Sequence, residues 1–319
     1  MNADATRPFN GVILIARNDQ IIYQKASGPF GAPKINSQFG IASISKQFTA
    51  TIILDLVDQG LIDINQPIKN YLPDLKDDWT ELVTIKNLLN HSSGIVDIGK
   101  PLAFIPGSNF EYSPGLTFYL ASIIAKRISK KTYEELLNEL FKKANMRESA
   151  TFFTVNMNEN YHKYHRLAKA FVEKQGNIIE VTELSDHGKL YDHSWIPGGG
   201  IISTAKDLLN WNLALHNQKL LSQNSYKEMI TASITRNHPR YQKIGYGLGI
   251  HILDKDGYLE ISHGGYIEAY CTILIYYPKT KISVIILENI AWDKNGTRSA
   301  SKIHEDIREV IRQYNNSIV

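Results

Sequence analysis

The pattern of apolar and polar positions changes period twice along the chain. Near the start, Gly11-Val12-Ile13-Leu14-Ile15-Ala16 is short, apolar and rich in β-branched residues. Asn18-Asp19 supplies a turn and Ile21-Ile22-Tyr23 follows, which predicts a hairpin. From Lys46 to Leu61 the apolar residues Phe48, Ile52, Ile53, Leu56 and Val57 fall on a helical period, and Gly60 offers a stop. The stretch from Asp63 to Leu75, with prolines at 67 and 73, reads as a loop. Amphipathic helices are predicted from Leu116 to Ser129, Tyr133 to Lys143 and Thr204 to His216. Strand character returns from Tyr246 to Leu253, Tyr258 to Ser262, Tyr270 to Tyr277 and Ile282 to Glu288, with Asp256-Gly257 as a hairpin turn. An amphipathic helix from Thr297 to Tyr314 closes the chain.

Strands at both ends with helices between them predict an α+β fold. One antiparallel sheet is assembled from both termini and flanked by helices, with an active site expected between the two layers. Residues 1–42 and 210–319 are expected to form an α/β subdomain, and 43–209 a mostly helical insertion, within one catalytic unit. The 319 residues, 43% hydrophobic and 21% charged, suffice for a substantial core. A net charge of +3 with no basic cluster gives no case for nucleic acid. The single cysteine, Cys271, excludes an intrachain disulfide and a cysteine-based zinc site, and its apolar surroundings make it a small buried strand residue. No stretch is long and apolar enough to span a membrane. Met1 to Pro8 is polar and lacks the apolar core of a signal peptide, so the expected location is cytoplasmic, or the cell envelope if a signal has been removed.

The chemistry enters at Ser43-Ile44-Ser45-Lys46. On a helix, residues three apart share a face, so Ser43 Oγ and Lys46 Nζ meet at a helix N-terminus, where backbone N–H groups favour developing negative charge. A desolvated lysine has a lowered pKa and can take the serine proton. The spacing occurs three times, at Ser43/Lys46, Ser203/Lys206 and Ser299/Lys302. At Ser203 helix capping through Thr204-Ala205-Lys206-Asp207 explains it, and Ser299/Lys302 falls on a solvated face of the last predicted helix. Only Ser43 stands where a strand gives way to a helix. There is no Gly-x-Ser-x-Gly elbow, phosphate-binding glycine loop or His-Glu-x-x-His motif.

Order and context make the case. Gly40-Ile41-Ala42-Ser43-Ile44-Ser45-Lys46-Gln47-Phe48-Thr49-Ala50, Gly60-Leu61-Ile62-Asp63-Ile64, Tyr71-Leu72-Pro73, Leu88-Leu89-Asn90-His91-Ser92-Ser93-Gly94, Pro106-Gly107 through Tyr112-Ser113, Gly198-Gly199-Gly200-Ile201-Ile202-Ser203-Thr204 and His263-Gly264-Gly265 follow one another. This series resembles the serine β-lactamase and penicillin-binding-protein family, in particular class C β-lactamases and related esterases and D-amino-acid peptidases. The resemblance covers most of the chain. It implies a β-lactamase/transpeptidase-like fold, acyl transfer to water through a Ser43 acyl-enzyme, and no cofactor or metal. It implies that Lys46 and Tyr112 manage the proton, with a Tyr112 phenolate as base and the phenol then as acid. The backbone N–H groups of Ser43 and Tyr266 would form an oxyanion hole, and His263 would line the pocket and bond substrate or Tyr112. Ser113, Gly264, Gly265 and Tyr266 would contact substrate, a small-molecule ester, peptide or β-lactam.

Two positions depart from the family pattern. Tyr112-Ser113-Pro114 stands where the family usually has Tyr-x-Asn, which removes an amide donor for acylamide substrates. His263 replaces the lysine of many members, so a permanent positive charge is missing. Both shift the expectation toward an esterase or D-amino-acid peptidase-like hydrolase with weak β-lactamase activity. The alternative is a penicillin-binding sensor or scaffold that acylates without efficient turnover. His91 is expected to hold a loop near the site. His162-Lys163-Tyr164-His165, Asp186-His187 and Asp192-His193 match no ligand pattern and are expected to form a polar loop bordering the cleft.

Overall fold

A computed structural model describes residues 2–4, 8–174, 176–184, 193–238, 242–255, 257–294 and 297–317. Its principal element is an eight-stranded antiparallel sheet. In chain order its strands are β1 (Gly11–Arg17), β2 (Gln20–Ser27), β3 (Ile234–His238), β4 (Gln242–Tyr246), β5 (His251–Lys255), β6 (Tyr258–Ile267), β7 (Tyr270–Tyr277) and β8 (Ile282–Glu288). The spatial order is β2-β1-β8-β7-β6-β5-β4-β3, so the N-terminal hairpin joins the C-terminal strands by pairing β1 with β8. The sheet is built from both ends of the chain, as the strand pattern predicts. Asn18, at φ 53, closes the first hairpin in the left-handed region that asparagine tolerates. Asp256 of the β5–β6 turn lies outside the described residues, while Gly257 beside it has φ 75.

Among the described residues, five helices of eleven residues or more surround the sheet: α1 (Ser45–Asp58), α2 (Leu116–Ser129), α3 (Tyr133–Lys143), α4 (Ala205–His216) and α5 (Ile303–Ser317). α1 ends as Gly60 suggests: its N–H bonds Val57 O and that of Leu61 bonds Leu56 O, a Schellman closure at φ 72. Thr132 and Thr204 cap α3 and α4 by accepting from the N–H groups of Glu135 and Asp207. The Thr204 cap accounts for the Ser203/Lys206 repeat. Apolar residues of β6, β7, β8 and β1 pack on α1 and its neighbours on one face, and on Ile303, Ile307 and Ile311 of α5 on the other.

Four elements differ from the sequence expectation. α1 is covered on more than the apolar face its period predicts: Ser45 to Leu54 are all buried, and its polar residues are paired inside, with Trp211 Nε1 donating to Gln47 Oε1 at 2.9 Å and Thr49 Oγ1 donating to Pro197 O at 2.6 Å. The run from Tyr246 to Leu253 is two strands, because Gly247 to Ile250 turn tightly, with Gly249 at φ 69 and Gly247 N–H bonding Ile250 O. The last helix begins at Ile303, since Thr297–Ser301 is a strand paired with Ile290–Lys294 and Asn2–Asp4. Ser299 and Lys302 therefore share no helical face. The middle of the chain also contributes strands: Phe171–Lys174 and Asn177–Glu180 join those three in a five-stranded sheet.

One further sheet positions the chemistry. Phe39–Gly40, Ile201–Ser203 and Ala150–Thr151 form three short strands. The pairing continues as Ile41 N–H bonds Ile201 O at 2.9 Å. It delivers the chain to Ser43 beside the short helix Ile196–Gly199.

Candidate active site

Ser43 lies in a single tight turn, Ala42–Ile44, that leads directly into α1. Ala42, buried at φ 46, holds a backbone conformation that L-residues rarely adopt, which is the kind of strain that surrounding structure must enforce. Gly265 of β6 is the close neighbour that allows it: a Cβ there would stand 2.2 Å from Ile41 O.

Lys46, one turn into α1, is fully buried. Its Nζ reaches Ser43 Oγ at 3.1 Å, Pro114 O at 2.7 Å and Gly198 O at 2.7 Å. An ammonium has three N–H donors and a neutral amine two. The two carbonyls can only accept, so the neutral amine spends its hydrogens on them and turns its lone pair to Ser43. No carboxylate pairs with Lys46 among the described residues, and burial brings its pKa from the usual lysine range down to about 7. Gly198 has to be glycine for this contact, because a Cβ would meet Pro114 O at 2.7 Å.

Tyr112 donates its O–H to Ser43 Oγ at 2.7 Å, and its ring centre lies 5.0 Å from Lys46 Nζ. Burial pushes its phenol up to about 12, against the lowering effect of the Ser43 hydrogen bond. At neutral pH the pair therefore consists of a phenol and an amine near half-protonation, which makes the amine the base rather than a phenolate. His91, buried at φ 61, accepts the Ser113 N–H at Nδ1 over 3.2 Å and stacks obliquely on Tyr112 at 4.4 Å. It holds the 110–113 segment, as the sequence suggests.

The facing wall comes from β3 to β6. His263 is buried and neutral: burial, then the Lys46 charge, holds it at about 3. Its Nδ1–H donates to Gly264 O at 2.6 Å, and its Nε2 therefore accepts from Tyr246 O–H at 2.9 Å. The expected bond to Tyr112 is not made. Pairing of β5 with β6 stops at His251–Ser262, so β6 beyond Ser262 is paired on its β7 side only. A cleft of about 470 Å³ opens there, lined by Ser43, Tyr112, His263, Gly264, Gly265 and Tyr266 among others.

Of the sequence candidates, Lys46 and Ser113 do not line the cleft: Lys46 is buried behind Ser43, and Ser113 Oγ accepts from Thr117 N–H at the start of α2. His162 and His165 are exposed and do not line the cleft either, and Asp186, His187 and Asp192 lie outside the described residues. Cys271 is a buried β7 residue whose thiol burial pushes well up, facing Glu288 and His304 on the α5 side of the sheet. Sequence reasoning missed the Pro114 and Gly198 carbonyls, and also Tyr246, His251 and Arg236. The glycine run marked Gly198, but nothing local marked the others.

A Beta-lactamase family model matches residues 4–303. The chain belongs to that family. It is 28% identical over 267 residues to the putative penicillin-binding protein PbpX of Bacillus subtilis, covering 76% of this chain and 62% of that protein. To Protein flp of Staphylococcus aureus it is 23% identical, covering 87% of this chain and 59% of the relative, so it spans about three fifths of both. Solved structures show the same fold. A penicillin-binding protein from Bacillus halodurans has TM-score 0.76 at 22% identity, covering 96% of each chain. The D-amino acid amidase of Ochrobactrum anthropi SV3 has TM-score 0.75 at 19% identity, covering 98% of this chain and 96% of that one. Among the described residues no helix is long and apolar enough to cross a membrane.

Proposed function

We propose that this member of the Beta-lactamase family hydrolyses esters or D-amino-acid peptides and amides through an acyl-enzyme on Ser43, and acts weakly on β-lactams. The observation that carries the reading is the fully buried Lys46 amine, 3.1 Å from Ser43 Oγ and without a countercharge among the described residues. In its neutral form Lys46 takes the Ser43 proton as Oγ adds to the substrate carbonyl. The ammonium then donates to Ser43 Oγ, Pro114 O and Gly198 O, three acceptors already in place. The oxyanion is met by the N–H groups of Ser43 and Tyr266. Tyr112 gives its O–H proton to the leaving alkoxide or amine and regains one from Lys46, leaving the amine neutral again. Water then attacks the ester of Ser43 with the same groups acting in turn, and net hydrolysis releases acid and alcohol or amine.

The weak β-lactam arm rests on Pro114. It offers no amide donor to an acylamide, and its carbonyl is committed to Lys46. A D-amino acid amidase shares this fold, which is the reason to try D-amino-acid amides as substrates. The test is steady-state hydrolysis of p-nitrophenyl butyrate, a D-amino-acid p-nitroanilide and a chromogenic cephalosporin by the wild type and Ser43→Ala. Turnover of the first two, loss of it in Ser43→Ala and slow cephalosporin hydrolysis are expected. A stable penicillin adduct without turnover of any substrate would instead make the chain a sensor.

A further inference from the structure

A cluster of three side chains lies on the far face of the main sheet from Ser43, and the proposed hydrolysis makes no use of it. β7 and β8 pair in a register that sets Cys271 opposite Glu288. Residues paired directly across two antiparallel strands project from the same face. Ile273 and Ile286, two positions along each strand, belong to the core that packs against α5, so Cys271 and Glu288 face α5 as well. His304 is the second residue of α5. It shares a helix face with Ile307 and Ile311, which pack on that core, and so turns toward the same point.

The sulfur of Cys271, a ring nitrogen of His304 and a carboxylate oxygen of Glu288 all lie within 4.8 Å of one another. Cys271 and Glu288 are fully buried, and His304 is 4% exposed. Among the described residues no other three His, Cys, Asp or Glu side chains gather in this way. His304 Nε2 stands 2.7 Å from Glu288 Oε1, yet it makes no hydrogen bond there or to any other described residue. The carboxylate oxygen sits off the line along which the ring nitrogen donates or accepts. A buried nitrogen and oxygen this close that share no proton are placed as two ligands of one centre are.

One cysteine makes no zinc site by itself, and the family resemblance implies no metal. The fold adds a carboxylate from β8 and an imidazole from α5. Thiolate, imidazole and carboxylate together suit zinc, whereas magnesium and calcium take oxygen ligands. Ligand atoms around a tetrahedral zinc stand about 3–4 Å apart, so closing the set takes about 1 Å of side-chain movement. Three protein ligands leave one position for water, and His304 also lines the cleft, which gives the ion and the water a path.

We propose that Cys271, Glu288 and His304 bind one zinc ion, which ties the start of α5 to β7 and β8. Coordination replaces the thiol proton of Cys271, which leaves to solvent, and uses the neutral imidazole and the ionised carboxylate. Cys271 pairs across to Tyr266, so the ion lies behind the strand whose N–H is assigned to the oxyanion. The proposal does not depend on the hydrolase reading.

The test uses the full chain after chelator treatment and dialysis, with zinc and cobalt(II) as probes. Cys271 is the chain's one cysteine, so a thiolate-to-cobalt charge-transfer band in the near ultraviolet identifies this site. A band that saturates at one cobalt per chain and is removed by zinc is expected. Cys271→Ser should abolish the band. His304→Gln should weaken zinc binding by about 100-fold or more, since changes one shell further out already cost about 10–100-fold. Zinc should raise the thermal midpoint of the wild type and not that of Cys271→Ser. A folded wild type without the thiolate band overturns the proposal, whatever the variants do. Zinc binding that is equally tight in the wild type, Cys271→Ser and His304→Gln also overturns it, and marks an adventitious ion only, at exposed side chains such as His162 and His165. Either failure leaves the hydrolase reading standing.

Discussion

Lys46 and Glu260 are both buried, on opposite sides of the main sheet, and they are treated in opposite ways. Glu260 of β6 is fully covered and fully answered. Tyr258 and Tyr277 donate to it at 2.8 and 3.0 Å, Ser262 donates at 3.1 Å, and Arg308 of α5 forms an ion pair with it, with Arg312 close by. Burial alone would raise its pKa, but Arg308 and these hydrogen bonds outweigh it and keep the carboxyl below its usual range. Lys46 is equally covered and has carbonyls and a hydroxyl for company, with no anion among the described residues. Burial there goes unopposed, and the amine titrates at about 7. A buried charge with a complete partner set holds α5 to the sheet. A buried charge left without a counterion becomes a base at neutral pH.

Substitutions on each side break this comparison in different observables. Lys46→Met should cut ester hydrolysis by on the order of 10³–10⁴, because both the base and the donor to Ser43 Oγ are lost. Its stability loss should be smaller than that of Glu260→Gln, since a costly unpaired charge leaves the core with the lost hydrogen bonds. Glu260→Gln should cost about 3–5 kcal/mol in urea unfolding, because Arg308 and Arg312 are left facing an uncharged partner in a buried setting. Tyr112→Phe should lower kcat on the order of 10²-fold, with the larger loss for substrates with poor leaving groups, which need the proton most.

The smallest effect is in the pH dependence of stability, where the two groups have opposite signs. Lys46 binds its proton less tightly in the folded state, so the unfolded chain holds more protons between about 7 and 10.5, and this group's contribution to stability rises with pH across that window. Glu260 has a depressed pKa, so its contribution is complete above the ordinary carboxyl value of 4.5 and is lost as pH falls below it. Thermal melts across pH should lose the alkaline gain in Lys46→Met and the acid loss in Glu260→Gln. If neither variant alters the slope, the two environments are not as different as their partners imply.

Much of this was legible in the sequence where the cause is local. Period marked α2, α3 and α4, and the Thr204 cap marked the start of α4, since apolar spacing and a cap act within a turn or two. The β7 and β8 runs are apolar throughout because both faces of the sheet are covered. Ser43 and Lys46 were legible through the strand-to-helix change and the order of motifs. What the sequence did not show depends on pairing over long distances. The carbonyls of Pro114 and Gly198 are 68 and 152 residues from Lys46, and a carbonyl is carried by every residue type. Arg236 falls in a stretch for which the pattern predicts no element, and it reaches the cleft only once β3 pairs with β4. Ser113, expected to contact substrate, instead turns its Oγ to Thr117 N–H in the first turn of α2. Thr297–Ser301 read as helix although it pairs with Ile290–Lys294 just before it; its second partner, Asn2–Asp4, lies at the other end of the chain.

The central claim is that Ser43 is the nucleophile and that an uncharged Lys46 activates it. The most direct measurement is the rate of covalent labelling by a fluorophosphonate, from about pH 5 to 10, with the site read by intact mass and peptide mapping. The account predicts one label on Ser43, absent from Ser43→Ala, with a rate constant that rises through an inflection near 7 and then levels off. Labelling at another residue, or a rate that keeps climbing into the ordinary lysine range near 10.5, would contradict it.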